Sequence, residues 1–348
     1  MKLAIIGAGL VAKTFHIPAF LRCKDVQITA VCDVYEPAAS AMAEPLGAAV
    51  YTDFQEMLHC ADVDTVTICT RTDTHCQMAV EAARAGKNIF LEKPMALNVA
   101  QAAQIVEAVE ENDVIFMLGM LNRFRTESRL LTERRLSGQM GEIYHADARW
   151  MRRRGVPANA WFSQKALAGG GAGLDIGVHA IDTAWYLMGC PEPISVSGIT
   201  HHRLGRATCR GTEQWGTEAP SNAPMDTEEA AAALIRFEGK KSMTVTVSWV
   251  INGAEEDFNL RLYGTREGAG LNPFVIYSEA NGYRADIHPV FDRMDAWMEG
   301  FENEIQHFVG CVATHTQPIA SARSGYTVQR MIQAMYDSDE QGREILLR

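Results

Sequence analysis

Several features are missing from this chain, and each omission narrows what it can be. No run of about 18 apolar residues occurs, which argues against a transmembrane helix. Residues 1–7 are too short for a signal-peptide core and run straight into a glycine turn. Basic residues are the minority. The 32 Lys and Arg stand against 43 Asp and Glu, for a net charge of −11. That balance argues against nucleic acid and anionic membrane as partners. None of the eight cysteines forms a C-x-x-C pair, and no Cys/His cluster has zinc-finger spacing, so neither a metal site nor a disulfide framework is expected. Cys32 and Cys69 lie in apolar, strand-like runs, where a free thiol acts as a small hydrophobe. Cys209 falls in a polar loop with nothing beside it to make it a catalytic thiolate. A reducing, cytoplasmic location is expected.

What is present is ordinary globular composition, 47% apolar and 22% charged. The 348 residues suggest about two domains. Up to residue 120 two periods alternate. Apolar runs at Leu3–Ile6, Val26–Cys32, Val63–Cys69, Asn88–Leu91 and Val114–Leu118 read as strands. Helical stretches at Leu10–Leu21, Glu36–Leu46, His75–Ala85 and Val99–Glu111 separate them. Such βαβ alternation predicts a doubly wound parallel sheet covered on both faces. A helix is expected over Glu127–Leu136 and a long strand over Glu142–Trp150. Beyond the helix near 174–188 come strand-like runs with little helix between them: Ile194–Thr200, Ala230–Phe237, Ser242–Val250, Phe258–Tyr263 and Phe274–Tyr277. These predict an open, largely antiparallel sheet. Two helices close the chain, the first marked by Trp297, Phe301, Ile305, Phe308 and Val312. The expected domains are a Rossmann unit over 1–121 and an α+β unit over 122–348, with the C-terminal helix able to pack back on the first. His201–Thr227 is the one long loop.

Gly7, Gly9, Leu10, Val11 and Ala12 belong to a G-x-G-x-x-A turn. By itself this is a weak signal. Here it follows a strand, opens a helix and leads to a second strand that ends in Asp33, which is the dinucleotide-binding context. Gly7 permits the tight turn, Gly9 lets a pyrophosphate approach the backbone, and Ala12 lets helix and strand pack closely. The helix N-terminus favours phosphate. Asp33 would accept hydrogen bonds from ribose hydroxyls and repel a 2′-phosphate, so NAD is expected over NADP. The competing reading is a ligand-free glycine turn with Asp33 as a helix N-cap.

Glu92-Lys93-Pro94 closes the strand Asn88–Leu91, at the sheet edge where ligands bind in open α/β folds. Pro94 is a candidate for a cis bond. A surface Lys–Glu pair is the plainer alternative. Further on, Gly169–Gly171 leads to Asp175 and His179. Four residues apart on a helix from Leu174, these two share one face, which Asp182 continues. The glycines leave room at the helix start for another molecule or another backbone. A carboxylate can orient a neighbouring histidine and raise its pKa, yet a solvated helix face carries such pairs with no chemistry at all.

Taken together, these elements resemble the Gfo/Idh/MocA oxidoreductases. The resemblance spans essentially the whole chain. It is carried by Gly7, Gly9 and Ala12; Asp33; Thr70 with His75; Gly86-Lys87; Glu92-Lys93-Pro94; Asn122-Arg123-Phe124; Gly169–Gly171 with Asp175 and His179; Ala232–Phe237; and Tyr263–Thr265. It implies an NAD-dependent dehydrogenase acting on a ring hydroxyl or ketone of a sugar, glycoside or cyclic polyol. Thr70, Arg71, His75, Glu92 and Lys93 would join the glycine turn and Asp33 around the cofactor. His179 would be the general acid/base, with Lys93 and Asp175 beside the reacting hydroxyl. Arg71 stands where the family pattern has proline. Homodimers or homotetramers through the C-terminal sheet are also implied.

Substrate contacts are expected from Lys93, Arg123, Arg152, Trp161, Asp175 and His179. Arg152 and Arg154, read as sharing one side of a strand, could bind an anionic group or form a solvated surface. Trp161 and Phe162 could wall a sugar or pack beneath the loop. Two further readings stand beside the dehydrogenase: an NAD-retaining lyase or glycosidase working by transient oxidation and elimination, and a non-enzymatic NAD or sugar sensor. Asp33→Ala is expected to weaken NADH binding and relax discrimination against NADPH, read by fluorescence titration. Unchanged preference would show that Asp33 does not read the ribose.

Overall fold

The computed structural model describes residues 1–206, 225–253, 257–291 and 296–347. Cys209 and most of the long loop fall outside them. The chain divides into two compact units: residues 1–124 with 295–329, and residues 125–294 with 330–348.

The first unit is built on six strands: β1 (Lys2–Ile6), β2 (Gln27–Cys32), β3 (Ala49–Tyr51), β4 (Thr65–Ile68), β5 (Asn88–Leu91) and β6 (Phe116–Leu118). All pair in parallel, in the order β3-β2-β1-β4-β5-β6. Strands buried on both faces explain the near-continuous apolar runs: every residue of β4 and β6 is buried. The chain order reverses between β1 and β4, which opens the crevice where such sheets take ligands. Ile6 pairs with both Cys32 and Ile68, so three strands end level at that point.

The stretch read as one helix, Leu10–Leu21, holds a π-helical segment at Ala12–His16 ahead of an α-helix at Ile17–Leu21. Pro18 has no N–H to offer the Thr14 carbonyl, and the wider turn avoids that bond. In this unit β3 and one helix went unforeseen. β3 is only three residues long. The helix Phe54–Cys60 is seven, and Asp53 caps it by accepting from the Gln55 and Glu56 N–H groups. An Asp three residues ahead of Glu56 is the signal that marks such a helix.

The helix Ala296–Thr314 belongs to the first unit. There Phe301 stacks on Phe15, centroids 4.5 Å apart, and Phe308 meets the edge of Phe90. Arg123, only 1% exposed, lies in the short 3-10 turn Leu121–Phe124. It donates to the Ile319 carbonyl and, at 2.7 Å, to Ser324 Oγ. The residue read as a substrate contact therefore ties that turn to the 319–324 segment.

The second unit holds β7 (Ile143–Met151), β8 (Pro193–His201), β9 (Ala230–Phe237), β10 (Lys241–Ser248), β11 (Asp257–Gly264), β12 (Gly268–Leu271), β13 (Phe274–Ala280), β14 (Tyr283–Ile287) and β15 (Ile345–Leu346). They form an open sheet in the order β14-β13-β12-β11-β7-β10-β9-β8-β15. Only the β7–β10 pair among them is parallel. Met243, Val245 and Val247 alternate inward along β10. The helix Gly177–Leu187 packs on β7, β10 and β11. Its Gly177 faces β10, where a Cβ would make ordinary contact with Val247 at 3.5 Å. Ala146 and Ala148, small and fully buried on β7, belong to the same packed core. Among the described residues no helix is long and apolar enough to cross a membrane.

Arg123→Met should lower stability by about 2 kcal/mol, the cost of charge-assisted hydrogen bonds lost from a buried turn. The urea midpoint measures it, and an unchanged midpoint would show that the tie is not needed.

Candidate active site

The first unit gathers its polar groups at the carboxyl ends of β1, β2, β4 and β5. Gly7 has φ +98°, and a Cβ there would lie 2.7 Å from the Cys69 carbonyl oxygen. Only glycine fits. A Cβ on Gly9, by contrast, would meet nothing within 4 Å. Leu10 is exposed, Val11 half-buried and Ala12 fully buried. The Asp33 carboxylate bridges two segments: Oδ2 accepts the Ala8 N–H at 2.7 Å and Oδ1 the Tyr35 N–H at 2.9 Å. Asp33 is not the cap of the next helix, whose N-cap position is Tyr35. Open ground above Gly9, a helix starting at Leu10, and a fixed acceptor at the end of β2 fit the phosphates and ribose of a dinucleotide.

Thr70 packs against Gly7, its methyl 3.0 Å from where a Cβ would lie, and its hydroxyl meets Thr74 Oγ1 at 2.7 Å. Arg71 forks onto Asp73 at 2.9 and 3.0 Å. That hydrogen bonding raises its pKa. His75 is buried, with Nδ1 2.8 Å from the Pro94 carbonyl and Nε2 3.1 Å from the Thr70 carbonyl. It clips the segment after β4 to the segment after β5, and burial lowers its pKa.

Lys93 follows β5, and the Lys93–Pro94 bond is cis. Its N–H donates to Glu92 Oε2 at 3.1 Å. Glu92 Oε1 lies 2.7 Å from Nε2 of His16, a fully buried residue whose Nδ1 meets Thr67 Oγ1 at 3.2 Å. Burial opposes protonation of His16, but Cys69 and the Glu92 carboxylate beside it outweigh that and hold the pKa well above the usual range. His16 was not foreseen. Its signal was available: a polar residue four positions after the buried Ala12, on the same helical face.

In the second unit the helix expected from Leu174 is in two pieces. Ala172–Asp175 ends before Ile176, and Gly177–Leu187 follows. Asp175 and His179 therefore sit on either side of a break rather than along one continuous helix. Nor is this a solvated face: His179 is 7% exposed and Asp182 1%. Asp175 Oδ2 accepts the indole N–H of the fully buried Trp249 at 2.9 Å. The His179 ring lies 5.7 Å from that of Trp150. Trp150 in turn packs on Phe258 at 4.3 Å, and the Arg152 guanidinium lies 5.7 Å from its ring centroid.

The glycine run makes room for the chain itself. The Glu228 carboxylate accepts the Gly171 N–H at 2.9 Å, the Gly173 N–H at 2.8 Å and the Tyr336 hydroxyl at 2.8 Å. A Cβ on Gly171 would sit 2.0 Å from the Glu228 carbonyl oxygen, and one on Gly170 2.3 Å from the Tyr336 hydroxyl. Burial pushes the Glu228 carboxyl up while the Gly173, Tyr336 and Gly171 donors pull the other way, and the net shift is upward. Burial and the nearby carboxylate push the Tyr336 phenol well above its usual range. Next in sequence, the Glu229 carbonyl accepts the Trp249 N–H at 2.7 Å. Neither Glu228, Trp249 nor Trp150 was singled out from sequence. Trp150 had a signal, as the large residue ending the alternation Ala146, Ala148, Trp150.

Arg152 and Arg154 lie beyond the end of β7 and share no strand face. Arg152 donates to the Gly155 carbonyl, and Arg154 to the Arg153 and Ile251 carbonyls and to Asn252. The Arg152 side chain packs over Gly155, where a Cβ would meet it at 2.6 Å. Trp161 stacks on Phe162, centroids 3.8 Å apart.

The two glycine sites should respond in opposite ways. Gly9→Ala should leave the melting temperature unchanged while weakening NADH binding at least tenfold, about 1.4 kcal/mol. Gly171→Ala should lower the melting temperature. Equal NADH affinity in Gly9→Ala would remove the dinucleotide from this turn.

Residues 1–120 match the Gfo/Idh/MocA oxidoreductase family model, described as an NAD-binding Rossmann fold, and residues 129–269 match the model of that family's C-terminal domain. The chain is 31% identical to D-glucoside 3-dehydrogenase of Escherichia coli over its full length and 97% of that protein. It is 25% identical to inositol 2-dehydrogenase of Rhizobium meliloti, covering 99% of this chain and 98% of that one. Levoglucosan dehydrogenase, solved with NADH and levoglucosan, shares the fold at a TM-score of 0.86 and 20% identity, with 99% of each chain covered. With the dinucleotide turn, Asp33, Glu92-Lys93-Pro94 and the Asp175–His179 break all in place, the chain belongs to the Gfo/Idh/MocA family of NAD-binding oxidoreductases.

Proposed function

We propose that this oxidoreductase is an NAD(H)-dependent dehydrogenase acting on a ring hydroxyl of a glycoside, sugar or cyclic polyol. The observation that carries the reading is the full-length likeness to D-glucoside 3-dehydrogenase. The turn Gly7–Ala12, Asp33, Thr70 and Glu92 would hold the cofactor, and the bonds that set Asp33 in place favour a ribose diol over a 2′-phosphate. When bound, NAD supplies the two-electron redox chemistry.

The protein's own residues handle the proton and the charge. His179 accepts the substrate hydroxyl proton as the carbinol carbon is oxidised, and returns one in the reverse direction. The Lys93 ammonium stabilises the developing alkoxide. Asp175, held by the Trp249 indole, orients His179 or binds a neighbouring hydroxyl. Trp150 supplies an aromatic wall beside His179.

The polar face of the nine-stranded sheet supports a dimer or tetramer. His145 Nδ1 meets Ser242 Oγ there, Thr244 donates to Asp147, and Tyr263 stacks on His145. A reducing, cytoplasmic setting accords with the seven free cysteines among the described residues.

Incubation with NAD and a panel of glucosides and inositols, followed by absorbance of NADH, tests the reading. Net NADH is expected with at least one of them. His179→Ala should lower that rate by about 10²- to 10⁴-fold while NADH affinity stays within about twofold. An undiminished rate would sink the base assignment. Consumption of a glycoside without net NADH would favour the redox-recycling lyase or glycosidase instead.

A further inference from the structure

We propose that Asn122 is a ligand-binding residue whose carboxamide takes a vicinal diol, one hydroxyl accepting from Nδ2 and the other donating to Oδ1. Asn122 is 3% exposed. Neither its Nδ2 nor its Oδ1 has a hydrogen-bond partner among the described residues. A buried amide with both ends unsatisfied is costly, and proteins keep such groups where something else completes them.

The surroundings say where that completion comes from. Asn122 lies in the turn Leu121–Phe124, directly after β6, at the carboxyl edge of the six-stranded sheet where open α/β folds bind ligands. The turn is held firmly on both sides of Asn122. The Arg123 N–H bonds the Met120 carbonyl, and its guanidinium is tied to Ile319 and Ser324. The Phe124 carbonyl accepts from Asn303 at 3.1 Å. The braced turn fixes the backbone from which the Asn122 amide projects, which lowers the ordering cost of binding there. Three residues earlier, Gly119 packs on the carboxyl group of Glu92, the neighbour of Lys93; a Cβ at that position would lie 3.3 Å from it. The segment that carries Asn122 thus lies against the Glu92 side chain within the same unit.

The chemistry of the group selects the ligand class. A neutral carboxamide offers one donor and one acceptor side by side. Adjacent hydroxyls match both, because each can donate or accept. An anion would satisfy Nδ2 but oppose Oδ1. Two sources carry such a pair, the ribose of the dinucleotide and the ring of a polyol or glycoside. The second rests on the dehydrogenase reading above; the orphaned amide does not.

Asn122→Leu keeps the size and removes both polar ends. The ligand-free variant should melt a few degrees higher than the wild type, because a buried amide without partners has been removed. Its affinity for one ligand should fall about tenfold. NADH is titrated alone by fluorescence, then methyl glucoside and myo-inositol are titrated calorimetrically onto the NADH-bound protein. Weakened NADH binding assigns the diol to the cofactor. Weakened polyol binding with NADH unaffected assigns it to the substrate. Unchanged affinity for both overturns the proposal, and a lower melting temperature with unchanged affinities shows that the amide serves the fold alone. Should Asn122→Leu not fold, Asn122→Ala carries the binding measurements. A wild-type protein that binds NADH and none of the polyols defeats the substrate reading and leaves the NADH titration to decide on Asn122.

Discussion

A carboxylate sealed beneath a glycine turn organises the second unit. Burying an anion costs several kcal/mol unless donors surround it. Glu228 has three: two backbone N–H groups and one phenol. Each such charge-assisted bond contributes about 1.5–3 kcal/mol, so the site tolerates no partial arrangement. Loosening the turn would strand the charge. The same requirement fixes the backbone through Gly171 and Gly173, which start the short helix ending at Asp175. It also fixes the neighbouring strand entry, where Glu229 takes the backbone of Trp249, whose indole holds Asp175. The geometry of the candidate acid/base pair descends from that one buried group.

A comparable constraint acts in the first unit. Gly7 brings the end of β1 against the Cys69 carbonyl, so the turn after β1 and the turn after β4 are set together. Asp33 fastens the next segment by accepting from Ala8. His75 and the His16–Glu92 contact fasten the two after that. Four strand ends are thus linked through polar side chains, two of which, Asp33 and Glu92, also belong to the proposed cofactor site. The outcome is a rigid edge on which a few side chains can be varied without disturbing the sheet.

Much of this was legible beforehand, for physical reasons. Strands buried on both faces announce themselves as apolar runs, and Asn88–Leu91, Val99–Glu111 and Ala230–Phe237 coincide with their elements to the residue. The dinucleotide turn, Asp33 and Glu92-Lys93-Pro94 are local signals, each carried within a few residues. What escaped was short or non-local. β3 and β15 are too brief for any period to emerge. Glu228, Trp249 and Tyr336 act on Gly171 and Asp175 from more than fifty positions away, and nothing in their own neighbourhood marks them. The glycine run was seen, but its spatial partner was not. Spacing predicted one face for Asp175 and His179 without registering the break at Ile176, because a turn between two good helical stretches leaves no composition signal.

The make-up of the first unit also bears on how the protein is born. Its core draws residues from both ends of the chain, with Phe301 and Phe308 stacking on Phe15 and Phe90. During synthesis the six-stranded sheet is complete long before those aromatic partners leave the ribosome. The nucleotide-binding unit therefore waits, with an apolar flank uncovered, while eight of the nine strands of the second sheet are made. It closes only when the penultimate helix returns. Discontinuity in sequence makes the final docking step a checkpoint on full-length synthesis: a chain cut short within the second unit carries an unfinished first one.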